Sequence, residues 1–173
     1  AFSEAATLWE NILQDPITVK INVQFVPMQS STILGSTFSV ATTHNFTTVR
    51  SALLSASDSV VETGVQTLLP ASKVPLTDID GDREDPKVTL NAANAKVLGL
   101  GTTMDPTYGC PPEDPCPLEN SADAFMSFNT KFSFDYDRSD GVSATKHDFI
   151  SVACHEIGHV LGFTSTADIQ DDY

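Results

Sequence analysis

Apolar side chains recur at helical spacing over residues 1–14, where Phe2, Ala5, Ala6, Leu8, Trp9, Ile12 and Leu13 make one face of an amphipathic helix. Asp15-Pro16 ends it, because proline lacks an amide hydrogen and restricts the residue before it. The period then changes to two. Ile17, Val19, Ile21, Val23 and Phe25 alternate with Thr18, Lys20, Asn22 and Gln24, which predicts a strand with one buried face, closed by Pro27. Residues 28–44 are Ser/Thr-rich, with a strand signal around Thr37–Val40. A helix in two pieces is expected over Phe46–Leu69, broken near Ser57-Asp58, where either side chain can cap the second piece. Leu76–Pro86 reads as a polar, acidic loop, and Asn91–Leu98 as a helix stopped by Gly99 and Gly101. Residues 105–121 read as a proline-rich inserted loop. Ala124–Phe128 and Lys131–Phe134 read as strands, forming a hairpin across Asn129-Thr130. An acidic turn, Asp135–Gly141, leads to the apolar run Phe149–Phe163, a buried helix. With no repeat and no linker, one α+β domain over residues 1–173 is expected, with a mixed twisted sheet and its last helix near the C-terminus.

That last helix carries the chemistry. It contains His155-Glu156-Ile157-Gly158-His159, and two histidines four apart lie about one turn from each other on one face. Such a pair suits two imidazole nitrogens holding one zinc ion, with Glu156 offset to reach a water on the metal. Gly162, three residues past His159, lets the chain turn sharply beneath the site. The alternative is a core helix whose histidines only pack and hydrogen-bond.

Composition narrows the partners. Lys plus Arg number 9 against 23 Asp plus Glu, a net charge of -14, which argues against nucleic acid or anionic membrane as a partner. The same acidity fits a secreted protein or a calcium binder, or serves only solubility. No apolar stretch approaches the roughly 20 residues of a membrane span. The opening Ala1-Phe2-Ser3-Glu4 reads as a mature form whose leader was removed, or as a fragment. Cys110 and Cys116 bracket a short proline-rich loop and can close as a local disulfide, whereas Cys154 reads as a buried apolar position.

The segment His155-Glu156-Ile157-Gly158-His159-Val160-Leu161-Gly162-Phe163 resembles the zincin metallopeptidases, and within them the first nine positions of the metzincin signature HExxHxxGxxH. Trp9 with Asp15-Pro16, Asn94–Leu100, and His147–Ile150 look similar to a group of bacterial secreted metalloproteases. The resemblance implies a zincin-like N-terminal subdomain, an extracellular location, and His155 and His159 as zinc ligands. It also implies Glu156 as general base, peptide or protein substrates, and a strand near Phe125–Phe128 as the edge along which substrate lies. The family's third histidine falls on Ser165. Asp168, Asp171 and Asp172 are the nearby substitutes, with Asp168 soonest after the Gly162 turn; otherwise the third ligand belongs to a C-terminal subdomain beyond the chain.

Two further segments alternate carboxylates as calcium loops do. One holds Asp78, Asp80, Asp82 and Glu84; the other holds Asp135, Asp137 and Asp140. Neither has EF-hand spacing, and solvated turns are the plain alternative. The sequence therefore supports a secreted zinc peptidase first. Second comes a catalytically incomplete zincin scaffold, stabilised by calcium and self-associating through strand edges.

Overall fold

A computed structural model of the chain describes residues 1–56, 64, 68–72, 74–78, 81–101 and 122–164, with 74–78 and 81–85 through their backbone alone. The chain is α+β and divides into two compact units. One comprises Ala1–Ser39 with Cys110–Tyr173; the other comprises Val40–Gly109. Among the described residues no helix is long and apolar enough to cross a membrane.

The first unit opens with helix α1, Phe2–Glu10, which ends earlier than the apolar pattern suggests, four residues short of position 14 by way of a turn at Asn11 and Ile12. Strand β1, Ile21–Val26, follows, and then β2, Gly35–Ser39. These flank β7, Ala124–Asn129, in a three-stranded sheet of order β1-β7-β2, with β1 parallel and β2 antiparallel to β7. Ile21, Val23 and Phe25 share a face with Ala124, Met126 and Phe128, so the period-two reading assigns the right residues to the inner face. Val23 and Phe25 nonetheless stay exposed, because β1 is an edge and neighbours cover it on one side only. Phe25 uses its remaining face to stack on Phe149, with ring centroids 5.7 Å apart.

The return from β1 to β2 is organised by one side chain. Asn129, fully buried, accepts at Oδ1 from the amides of Met28 and Lys131, and donates from Nδ2 to the carbonyls of Ser30 and Ile33. All of its hydrogen-bonding capacity is spent on fixing the loop that delivers β2 beside β7. The sequence suggests a hairpin turn at Asn129-Thr130, but β7 already has a strand on each side. Phe134–Asp135 instead forms a two-residue strand, β8, pairing in parallel with β9, His147–Asp148. The helix α4, Phe149–Val160, starts there and packs on β2 and α1. Its buried positions Phe149, Ile150, Ala153, Ile157 and Val160 form a stripe at helical spacing. They meet Ala5, Met126, Phe128 and Phe134 in the core.

In the second unit β3, Ala41–Asn45, runs antiparallel to β6, Lys87–Asn91, and each leads directly into a helix: α2, Phe46–Ala56, and α3, Ala92–Val97. The α3 helix matches the expected Asn91–Leu98 closely, and Gly99 follows it with φ of 64°, a left-handed conformation that glycine adopts without strain. Of the two-piece helix, residues 57–63 and 65–67 lie outside the described residues. The expected acidic loop is a hairpin: β4, Val74–Asp78, pairs antiparallel with β5, Gly81–Asp85. Acidic residues are poor strand formers in isolation, and backbone pairing overrides that preference here.

Candidate metal centre

The pentad helix is fixed at both ends. Asp148 caps the N-terminus by accepting the amide of Ile150 at 3.1 Å. Arg138 grips the same carboxylate, with Nε 3.0 Å from Oδ1 and Nη2 against Oδ2, and Nη2 also donates to Ser151 Oγ at 2.8 Å. The guanidinium holds the Asp148 carboxyl down at about 2, helped by the Ser151 hydroxyl. At the other end Gly162, with φ of 96°, turns the chain back. The Gly162 amide donates to the His159 carbonyl and the Phe163 amide to the Gly158 carbonyl, the paired bonds of a Schellman cap.

That cap orients a histidine. It brings the Phe163 carbonyl to 2.9 Å from His159 Nδ1. A carbonyl only accepts, so Nδ1 carries the proton and Nε2 keeps its lone pair. His159 Nε2 lies 3.0 Å from His155 Nε2, and the two rings stand nearly perpendicular, with centroids 4.5 Å apart. His155 is exposed and His159 half-buried, so the pair sits where an ion can reach it.

Glu156 takes a different surface. It is buried, 5% exposed, between α4 and β2. Thr37 Oγ1 donates to its Oε2 at 2.7 Å, and lies 3.2 Å from its backbone carbonyl oxygen. Gly35, on the same face of β2, leaves room for the carboxylate. A Cβ there would stand 2.9 Å from Oε1 and 3.1 Å from Cδ. Trp9 closes the helix from the α1 side: its Nε1 donates to the Cys154 carbonyl at 2.9 Å, and its ring lies 5.1 Å from that of Phe163. Gly158 permits this approach, since a Cβ at that position would meet Trp9 Cζ2 at 3.2 Å.

The other expected ligands divide. Ser165, Asp168, Asp171 and Asp172 lie outside the described residues, as do Cys110 and Cys116. Among the described residues no group of three His, Cys, Asp or Glu side chains gathers about one point. Asp78 ends β4 opposite Gly81, Asp82 faces Thr77 and Glu84 faces Pro75 in β5, and Asp80 is outside the described residues. Asp135 accepts the Ser143 hydroxyl at 2.6 Å and the Ser143 amide at 2.9 Å, which hold its carboxyl below the usual range. Asp137 accepts the Ser139 amide at 2.9 Å, with the same direction of shift, and Asp140 lies in the exposed turn that follows. These two carboxylates thus cap their own loop. Cys154 is a free thiol and only half-buried, where its place in the apolar run suggests full burial.

The strand over Phe125–Phe128 is not an edge: β7 is paired on both sides, and among the described residues β2 is the edge next to α4. Sequence reasoning also passed over Thr37, Gly35 and Arg138. Gly35 gave the one usable signal, since a glycine inside a strand marks a close approach. Set against family profiles, curated proteins and solved structures, the chain matches none.

Proposed function

We propose that the chain is a secreted zinc-dependent peptidase domain of zincin type, with a zincin-like N-terminal subdomain carrying His155 and His159 as ligands, Asp168 as third ligand and Glu156 as general base. The observation that carries this reading is the facing pair of imidazole nitrogens, one of them set by the Phe163 carbonyl. Zinc–nitrogen bonds of 2.0–2.1 Å at a tetrahedral angle separate two ligand nitrogens by about 3.3 Å. The 3.0 Å separation seen here is that of a hydrogen bond donated by His155 Nε2 to the His159 Nε2 lone pair, and an ion takes the place of that proton once His155 carries it on Nδ1 and the rings open slightly. An outer carbonyl fixing the far nitrogen is the usual support of a ligating histidine.

Zinc, when bound, lowers the pKa of a water molecule toward neutrality. With zinc held by His155 and His159, the Glu156 carboxylate, on the residue after His155, would take the proton of the attacking water and hand it to the leaving amine. An extended peptide has the edge of β2 beside this helix to pair with, which supplies backbone hydrogen bonds without demanding a particular side chain.

Glu156→Gln tests the assignment. Hydrolysis of an unfolded protein substrate should fall by roughly 10²–10⁴ while zinc content stays at the wild-type level. A variant that still hydrolyses at the wild-type rate removes Glu156 from the role of base.

A further inference from the structure

The inner face of β2 meets the pentad at every second residue. Gly35 lies under the Glu156 carboxylate, Thr37 donates to it, and Ser39 Oγ lies 3.4 Å from the His159 carbonyl. From this juxtaposition we infer that Thr37 is the positioning residue of Glu156, holding the carboxylate by one oxygen while Gly35 sets where the other oxygen rests. A hydroxyl has one proton to give. The 2.7 Å contact to a charged oxygen takes it in preference to the 3.2 Å contact to the neutral carbonyl. Oε2 is thereby committed, and Oε1, which takes the room that a side chain at position 35 would fill, is left for proton transfer.

The arrangement differs from simple neutralisation of a buried acid. Neutralisation calls for a cation or several donors, whereas a single hydroxyl fixes direction without removing charge. The carboxylate is nearly sealed from solvent, so its rotamer depends on what β2 offers. Misplacing a reacting group by about 1 Å can cost ~10²-fold in rate. A strand hydroxyl one bond from the base is the economical way to prevent that.

The kinetic consequence rests on the peptidase reading; the clamp itself does not. Thr37→Val removes the hydroxyl at nearly constant volume, and Thr37→Ser restores it. The carboxyl carbon resonance of Glu156, identified by its disappearance in Glu156→Gln, reports the hydrogen bond directly. Thr37→Val should shift this resonance and lower kcat by about tenfold or more, with KM and zinc content unchanged. Thr37→Ser should keep both close to wild type. Thr37→Ala gives the same reading if the valine variant does not fold. An unmoved resonance in Thr37→Val overturns the clamp, as does a serine variant as impaired as the valine one. If the wild-type chain hydrolyses nothing, the peptidase reading falls, and the resonance alone still decides for or against Thr37.

Discussion

Placing one methyl group on β2 should disturb the base more than the fold. In Gly35→Ala the new Cβ would stand 2.9 Å from Glu156 Oε1, 3.0 Å from Cγ and 3.1 Å from Cδ. Ordinary contact for such atoms begins near ~3.5 Å, so the carboxylate must retreat by roughly half an ångström or more. Three side-chain atoms are affected together, so rotation of the carboxylate alone does not relieve the crowding. Retreat stretches the 2.7 Å bond from Thr37, and a buried charged acceptor that loses its donor costs about 1–3 kcal/mol. Alanine's advantage over glycine in a strand returns about 0.5–1 kcal/mol. The net loss should be about 1–2 kcal/mol, or a midpoint lower by about 2–8 °C in a chain of this size. A double-mutant cycle with Glu156→Ala isolates the cause, measured by urea unfolding of the four proteins. With the carboxylate gone, the added methyl should be neutral or stabilising, giving a coupling of about 1–3 kcal/mol. Equal cost for Gly35→Ala in both backgrounds would refute the reasoning.

Two further outcomes follow from the ends of the pentad helix. The Asp148 carboxyl, held at about 2 by Arg138, lies below its unfolded value of about 3.9, so its contribution is whole above about pH 4 and is lost as pH falls through 2. After discounting for solvent screening the contribution is about 1 kcal/mol; Arg138→Met should flatten the acid limb of stability against pH, and an unchanged limb would contradict the assignment. Gly162→Ala puts a Cβ into a left-handed turn, costing about 1–2 kcal/mol. It should also weaken zinc binding by about 10–100-fold as the Phe163 carbonyl leaves His159. Isothermal titration reads that change, and undiminished affinity would dissociate the cap from the histidine.

The pentad and its helix were readable because their information is local. Apolar positions at helical spacing and a glycine past the end are adjacent in sequence, and α4 has both. The same holds for α1, α3, β7 and the inner face of β1. What escaped is what depends on distant partners. Asn129 looks like a turn residue until the carbonyls of Ser30 and Ile33 are known to surround it. Lys131–Phe134 looks like a hairpin arm until β1 and β2 are seen to occupy both sides of β7. Thr37 lies 119 residues from Glu156, in a Ser/Thr-rich stretch that offers several equivalent hydroxyls. Alternating carboxylates are ambiguous for a related reason: the pattern is the same whether the oxygens converge on an ion or, as at Asp135 and Asp137, turn back to their own loop.

The central claim is that His155 and His159 hold zinc, and stoichiometry tests it most directly. Elemental mass spectrometry of the purified chain, after dialysis against trace zinc, should give about one zinc per molecule. The His155→Ala/His159→Ala double variant should give almost none while keeping its circular dichroism. A wild-type chain without zinc, or a double variant that retains it, would contradict the account.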